Sequence, residues 1–304
     1  MSSRTGLHVA VVKGGRSVER QVSLVSGREC AAALRRLGYK VSEVDAGSDL
    51  PEKLGQLSPD IIFNALHGRY GEDGCIQGLF EWLELPYTHS GVQASALAMN
   101  KDIAKRIFKS DNLPVAESIC ASSALAFSAH LMEPPYVIKP VNEGSSVGVH
   151  LVKQDDDRIS TLEKNFPDQV LVEKFIPGRE LTTTIMDGLP LGVTDIITEN
   201  WYDYESKYNV GASKHIVPAD IPREIYDACE EFALRAHMAL GCKGISRADF
   251  RWDNSLGVEG LFLLEINTQP GMTPTSLSPE QAKEKGISFD SLCNWIVEDA
   301  SCNR

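Results

Sequence analysis

Gly260-Leu261-Phe262-Leu263-Leu264-Glu265-Ile266-Asn267-Thr268-Gln269-Pro270-Gly271-Met272-Thr273 is an apolar run that ends in two polar side chains and then breaks into a turn. Residues 260 to 267 have the composition of a strand. Side chains two apart on a strand share a face, which puts Glu265 and Asn267 together. The Thr-Gln-Pro-Gly segment is a rigid turn at the strand end, where backbone amides can be aimed at a ligand. Upstream, Ser246-Arg247-Ala248-Asp249-Phe250 reads as a neighbouring strand, joined across the turn residues Asp253-Asn254-Ser255. Asp249, Glu265 and Asn267 then make an oxygen-only set. Mg²⁺ takes octahedral oxygen ligands and is usually held by one or two carboxylates plus substrate phosphates, so the set fits a magnesium nucleotide site. Acidic residues on solvated strand faces are the bland reading of the same pattern.

Working outward, the chain opens with strand residues His8 to Val12, a Gly14-Gly15 turn, and a helix from near Ser17 to Gly38. A strand around Tyr39 to Asp45 follows, then a third in Pro59-Asp60-Ile61-Ile62-Phe63-Asn64-Ala65-Leu66-His67-Gly68, leading into a helix that ends near Leu85-Pro86. Strands alternating with helices imply an open α/β sheet with parallel pairing, in which ligands bind at the strands' carboxyl ends. Glu19 and His67 lie just beyond two such ends. A first-turn acid favoured by the helix dipole is the other account of Glu19, and a hydrogen-bonded loop histidine that of His67.

One helix is expected from about Gln93 to Ser110, closed by Asn112-Leu113-Pro114. Next come Pro135 to Pro140, the loop Val141-Asn142-Glu143-Gly144-Ser145-Ser146-Val147-Gly148, and Val149 to Val152, an antiparallel hairpin whose tip can donate backbone N–H groups to phosphates. Val170 to Glu180 is expected as an apolar strand with polar edges, suited to a flat heteroaromatic ring. Ile225, Ala228, Cys229, Phe232, Ala233, Ala236 and Leu240 recur at helical spacing, and a closing helix runs from about Phe289 to Ala300. Between the strand and that apolar helix, Trp201 to Gly211 is aromatic, charged and turn-rich, the pattern of a long functional loop.

Gly144-Ser145-Ser146-Val147-Gly148 also fits the G-x-S-x-G elbow of serine hydrolases. An elbow needs a helix after its serine, whereas Val149 to Val152 continues as a strand, and Lys139 adds a cation a hydrolase does not need. The P-loop pattern is absent.

Composition narrows the class further. With 304 residues and 42% hydrophobic residues the chain can bury a sizeable core in two or three units. A net charge of -12 disfavours a general nucleic-acid binder. The first residues lack the apolar run of a signal peptide and no stretch approaches a membrane span, so a cytosolic protein without a membrane partner is expected. Seven scattered cysteines without a Cys-x-x-Cys pair are expected as reduced thiols.

Several stretches, taken in order, resemble the D-alanine:D-alanine ligases of the ATP-grasp superfamily. They are Gly14 to Arg20, Ala65 to Gly68, Gly71 to Gly74, Ser95 to Lys101, Glu143 to Gly148, Tyr202 to Tyr208, Gly241 to Gly244 and Asn267 to Thr273. The resemblance spans essentially the whole chain. It implies an α/β (α+β overall) ATP-grasp fold: an N-terminal open parallel α/β domain over 1–92, a central β-rich nucleotide-covering domain over 93–185, and a C-terminal α/β domain over 186–304. The implied activity is ATP-dependent joining of two D-alanines through a D-alanyl phosphate, for peptidoglycan precursors. A D-alanyl-D-lactate ligase and a non-catalytic nucleotide-binding module are the rivals; Tyr208 argues against the first, the intact lysine and metal sets against the second.

The same resemblance implies roles. Lys101, Lys139 and Lys207 would bind phosphate oxygens beside Mg²⁺ or Mn²⁺, two ions, held by Asp249, Glu265 and Asn267. Glu173 and Glu180 would face the adenine and ribose ends of ATP, Lys174, Phe175 and Ile176 would complete the adenine pocket, and Ser146 and Val147 would cover the phosphates. Glu19 would bind the ammonium of the first D-alanine with His67 nearby, and Ser145 and Tyr208 would join Glu19 in a hydrogen-bonded chain. Arg247 and the Gly271 N–H would form an oxyanion site, and Ser276 and Leu277 would hold the second D-alanine. A homodimer is implied. Gln21 and Asn100 depart from the family pattern, at positions given no chemistry.

Overall fold

Val9, Ala10, Val11 and Val12 are all fully buried, an unbroken apolar run that only a strand covered on both faces can use. They form β1 (His8–Lys13) of a parallel sheet that continues through α1 (Arg20–Arg36), β2 (Lys40–Asp45), α2 (Leu50–Leu57), β3 (Ile61–Asn64) and α3 (Cys75–Trp82). The order is β2-β1-β3, with His8 beside Lys40 and Val9 beside Ile61. Val9 and Val11 enter one core and Ala10 and Val12 another, as period-2 alternation requires. The computed structural model describes residues 6–144, 148–154, 166–197 and 214–304. Ser145, Ser146, Val147, Lys207 and Tyr208 lie outside the described residues, as does the Trp201 to Gly211 stretch.

The single helix expected from Gln93 to Ser110 is two, α4 (Val92–Met99) and α5 (Lys101–Ser110). Asn100 breaks it. Its backbone is extended (φ -85°, ψ 98°) and its Oδ1 accepts the Ile103 N–H at 3.0 Å, so a residue that competes for backbone donors caps a new helix and makes Lys101 its first residue.

A four-stranded antiparallel sheet follows, built from β4 (Ser118–Ser122), β5 (Tyr136–Pro140), β6 (His150–Val152) and β7 (Gln169–Lys174) in the order β4-β7-β5-β6, with α6 (Ser123–Ser128) against it. Tyr136 pairs with Val152, so the expected hairpin forms, with a strand and no helix after the Gly-Ser loop. This sheet has its own core around Phe127, Tyr136, Ile138 and Val172.

The expected strand from Val170 to Glu180 is also interrupted. β7 ends at Lys174, and β8 (Arg179–Met186) belongs to a different sheet. Pro177-Gly178 makes the break: Gly178 has φ +90°, and a Cβ there would lie 2.2 Å from the Trp252 carbonyl oxygen. The third sheet adds β9 (Leu189–Ile197), β10 (Lys214–Ile216), β11 (Ile245–Trp252) and β12 (Leu261–Asn267), all antiparallel in the order β10-β9-β8-β11-β12. α7 (Arg223–Ala239) covers it with Ile225, Cys229, Ala233 and Ala236, the face its spacing marked. α8 (Leu277–Glu284) and α9 (Phe289–Glu298) close the fold. Leu292, Cys293, Ile296 and Val297 of α9 share one core with Val9 and Val11 of the first sheet, Leu34 of α1, and Met186 and Ile245 of the third sheet.

Candidate active site

Functional side chains from several elements line one cleft. β11 and β12 pair so that Asp249 faces Glu265 directly, and the register then slips so that Phe250 faces Leu263. That bulge leaves Leu264 unpaired and sets the two carboxylates across from each other, a usual effect of a bulge beside a site. Asn267 follows two residues on and lines the same cleft of about 100 Å³. Its Oδ1 accepts the Gln269 N–H at 3.0 Å, which fixes the turn after the strand.

The carboxylates already have partners. Arg247 grips Asp249 with two hydrogen bonds, Nε to Oδ1 at 2.8 Å and Nη2 to Oδ2 at 2.7 Å, and Thr182 Oγ1 donates to Oδ1 at 2.6 Å. Lys101 Nζ lies 3.0 Å from Glu265 Oε2 and also donates to the Glu143 carbonyl at 2.6 Å. The donors are all hard oxygens, and each carboxylate stands against a cation, so the set fits a hard divalent ion. Among the described residues no group of three or more His, Cys, Asp or Glu is arranged to hold a metal, and this set is two carboxylates and an amide.

The opposite wall comes from the parallel sheet. Glu19, 4% exposed, precedes α1 beyond the carboxyl end of β1, and its side chain makes no capping bond. His67, 5% exposed, follows β3 with Nε2 3.3 Å from Ser26 Oγ. Burial, with the Arg247 charge second, pushes the imidazole down to about 4, so it is neutral near pH 7. Gly271, Ser276 and Leu277 line the far end. Ser276 Oγ accepts the Thr273 N–H at 2.9 Å and lies 2.8 Å from Thr273 Oγ1, so the turn ahead of α8 is internally braced.

Eleven of the residues singled out from sequence therefore meet in one cleft: Glu19, His67, Lys101, Glu180, Arg247, Asp249, Glu265, Asn267, Gly271, Ser276 and Leu277. Lys174, Phe175 and Ile176 line a separate cavity of about 240 Å³ with Ala116 and Phe262. Lys139 and Glu173 form a buried pair, Nζ to Oε1 at 2.7 Å.

Two residues given no role from sequence stand out. Lys105 of α5, 2% exposed, contacts Glu173 Oε2 and donates to the Ala116 carbonyl at 3.0 Å. A helical lysine reads as surface, and only its i+4 spacing from Lys101 could have signalled a shared face. Glu72 lines the cleft, 8% exposed; its Oε1 accepts the Gly68 N–H at 2.9 Å. Burial, then the Glu19 charge, pushes this carboxyl up to about 8.

Comparison with known proteins identifies the family. Residues 43–90 match the family model described as D-ala D-ala ligase N-terminus, and residues 116–298 that described as D-ala D-ala ligase C-terminus. A D-alanine–D-alanine ligase of Ruegeria pomeroyi is 60% identical over 304 residues, covering 100% of this chain and 99% of the relative. One from Cereibacter sphaeroides is 60% identical over 303 residues, with the same coverage. Among solved structures, a D-alanine–D-alanine ligase from Bacillus anthracis superposes with a TM-score of 0.83 at 32% identity, covering 97% of both chains. The same organism's enzyme complexed with ATP gives 0.81 at 31%. A parallel sheet and two antiparallel sheets around a single cleft, matched along their whole length by these relatives, make this chain a member of the D-alanine–D-alanine ligase family of the ATP-grasp superfamily.

Proposed function

We propose that the cleft joins two D-alanine molecules at the expense of ATP, for peptidoglycan precursor synthesis. The observation that carries this reading is the meeting of a buried carboxylate, Glu19, with Lys101, Asp249 and Glu265 in one cleft. A carboxylate is a poor electrophile. Transfer of the ATP γ-phosphoryl group to the first D-alanine gives an acylphosphate and ADP; the amine of the second attacks the carbonyl carbon, phosphate leaves with the C–O bonding pair, and the amine loses its proton.

Phosphoryl transfer is mostly positioning and charge neutralisation. Lys101 holds phosphate oxygens from the first turn of α5. Asp249, Glu265 and Asn267 are the residues to hold Mg²⁺ or Mn²⁺, which when bound neutralises phosphate charge. Arg247 and the Gly271 N–H serve the oxyanion of the tetrahedral intermediate. Ser276 and Leu277 hold the second D-alanine, Glu180 the ribose end of ATP, Glu173 and Lys174 to Ile176 its base, and Lys139 its phosphate oxygens. Ser145, Ser146, Val147, Lys207 and Tyr208 keep the roles given to them from sequence. A homodimer in the cytoplasm is part of this proposal; among the described residues no helix is long and apolar enough to cross a membrane.

The test is phosphate release from ATP with D-alanine, L-alanine or D-lactate, and product identity by mass spectrometry with D-alanine and D-lactate together. D-alanyl-D-alanine with dependence on D-alanine is expected. Predominant D-alanyl-D-lactate at neutral pH would overturn the peptide reading, and ATP binding without turnover the enzymatic one.

A further inference from the structure

α8 follows directly on the part of the cleft assigned to the second D-alanine: Ser276 precedes the helix and Leu277 is its first residue. Its buried side chains are Leu277, Ser278, Gln281 and Ala282, two apolar and two polar. Apolar burial is non-directional, so it holds a short helix down without fixing its register. The polar half of the face has to do that.

Gln281 is fully buried and uses its whole amide. Oε1 accepts the Thr184 N–H at 2.8 Å, while Nε2 donates to the Thr182 carbonyl at 3.0 Å and to Thr194 Oγ1 at 2.9 Å. The sheet explains why a side chain is needed there. Pairing of β8 with β9 slips after Thr183, so that Ile185 faces Pro190 and Thr184 has no residue across from it on β9. A bulge takes backbone groups out of the ladder, and the Gln281 amide closes this one. One turn earlier on α8, Ser278 Oγ lies 2.8 Å from Thr184 Oγ1.

The strand positions gripped in this way are the ones that face the reacting end of the cleft. On the other edge of β8, Thr184 is opposite Arg247 and Thr182 is opposite Asp249, and Thr182 Oγ1 donates to Asp249 Oδ1 at 2.6 Å. The start of the 268–276 turn is anchored separately, to the parallel sheet, by Gln269 Nε2 on the Leu66 carbonyl and by the Met272 N–H on Ser26 Oγ at 3.2 Å.

We infer that Gln281 is a positioning residue for the second D-alanine: it locks α8, and with it Ser276 and Leu277, in register with Arg247 and Asp249. The inference rests on the proposed function and adds no substrate contact to it. Gln281 acts through the helix, by fixing where the incoming amine stands relative to the acylphosphate carbon. Misplacing a reacting group by about 1 Å can cost on the order of 10² in rate. ATP and the first D-alanine are assigned to Glu19, Lys101 and Glu180, which lie outside α8.

Gln281→Met keeps the length of the side chain and removes all three hydrogen bonds. With initial rates fitted to two successive D-alanine binding steps, the KM of the second should rise about tenfold or more, while the KM values of ATP and of the first D-alanine stay within about threefold of the parent's. If that variant does not fold, Ser278→Ala decides: it removes one hydroxyl contact of the same helix and should give the same selective rise, about two- to fivefold. A second-subsite KM equal to the parent's in a folded variant, with only the urea midpoint lowered, would overturn the inference and leave the functional reading standing. So would a parallel rise of all three KM values, the mark of general loosening, or a raised Mg²⁺ requirement with the second KM intact, which would move the effect to Asp249. A parent enzyme without D-alanine-dependent phosphate release would overturn both.

Discussion

Glu173→Gln should destabilise the protein at neutral pH and do so less at pH 9. The residue sits between two ammonium groups, with Lys139 Nζ 2.7 Å from Oε1 and Lys105 Nζ against Oε2; Lys105 and Glu173 are each 2% exposed. Burial, opposed by Glu173, pushes Lys105 down to about 8. Burial raises Glu173 as well, but Lys139 and Lys105 outweigh it and hold the carboxyl below its ordinary range. Removing one partner of a buried pair costs about 3–5 kcal/mol if the stranded charge must stay. Lys105 need not stay charged. Its pKa lies only about one unit above neutral, so shedding the proton limits its own share to about 1.4 kcal/mol at pH 7. The total loss should then stay below about 5 kcal/mol, with at most about 1.4 kcal/mol of it from Lys105.

The sign of the pH effect follows from the same group. Its folded pKa lies below the unfolded value of 10.5. Between about 8 and 10.5 the unfolded chain therefore binds more protons, and the contribution of Lys105 to stability rises with pH across that window. At pH 9 the parent's Lys105 is already neutral, so the gap between the two proteins should narrow by about 1 kcal/mol. Urea unfolding at pH 7 and pH 9, with the ATP KM measured alongside, gives both numbers. A gap under about 0.5 kcal/mol at pH 7, the range of an ordinary surface change, or one that does not shrink at pH 9, would refute the reasoning.

Glu265→Gln should abolish most turnover while the urea curve stays close to the parent's, because a neutral oxygen replaces a charged one beside several phosphate charges; near-normal turnover at saturating Mg²⁺ would contradict the metal assignment. Asn100→Ala should cost about 1 kcal/mol through loss of the α5 cap, and Asn100→Asp should restore it. Equal unfolding midpoints for the alanine and aspartate variants would count against that cap.

The pattern of β12 was legible because its evidence is local: alternation on a strand puts Glu265 and Asn267 on one face wherever the strand ends up. Asp249 could be placed on a partner strand from the turn residues between them, but the slip that sets it opposite Glu265 depends on packing and left no mark in the sequence. The break at Asn100 was hidden behind an Ala-Leu-Ala-Met run with good helical periodicity, since an asparagine shows its capping role only when its own backbone leaves the helix. Pro177-Gly178 was a visible punctuation, yet the apolar character on both sides of it outweighed the signal. Glu72 and Lys105 were not legible as buried groups at all. A glutamate in a glycine turn and a lysine on a helix are ordinary surface residues until folding removes their water.

The parts of this molecule are joined by two kinds of seam. The first and third sheets share an oily one, with Val9, Val11, Met186, Ile245 and Leu292 in a single core, and Asn64 Nδ2 latches to Gln269 Oε1 at 2.7 Å. The four-stranded sheet keeps its own core and meets α5 through the Lys105–Glu173 contact and the Lys101 N–H on the Val141 carbonyl. Parting an oily seam exposes apolar surface to water, a cost that grows with every Å² opened. Parting a polar seam exchanges one partner for another, and water or a nucleotide phosphate can take the place that was given up. The cheap direction of bending in this fold is therefore at the four-stranded sheet, whose core is separate from the one the other two sheets share.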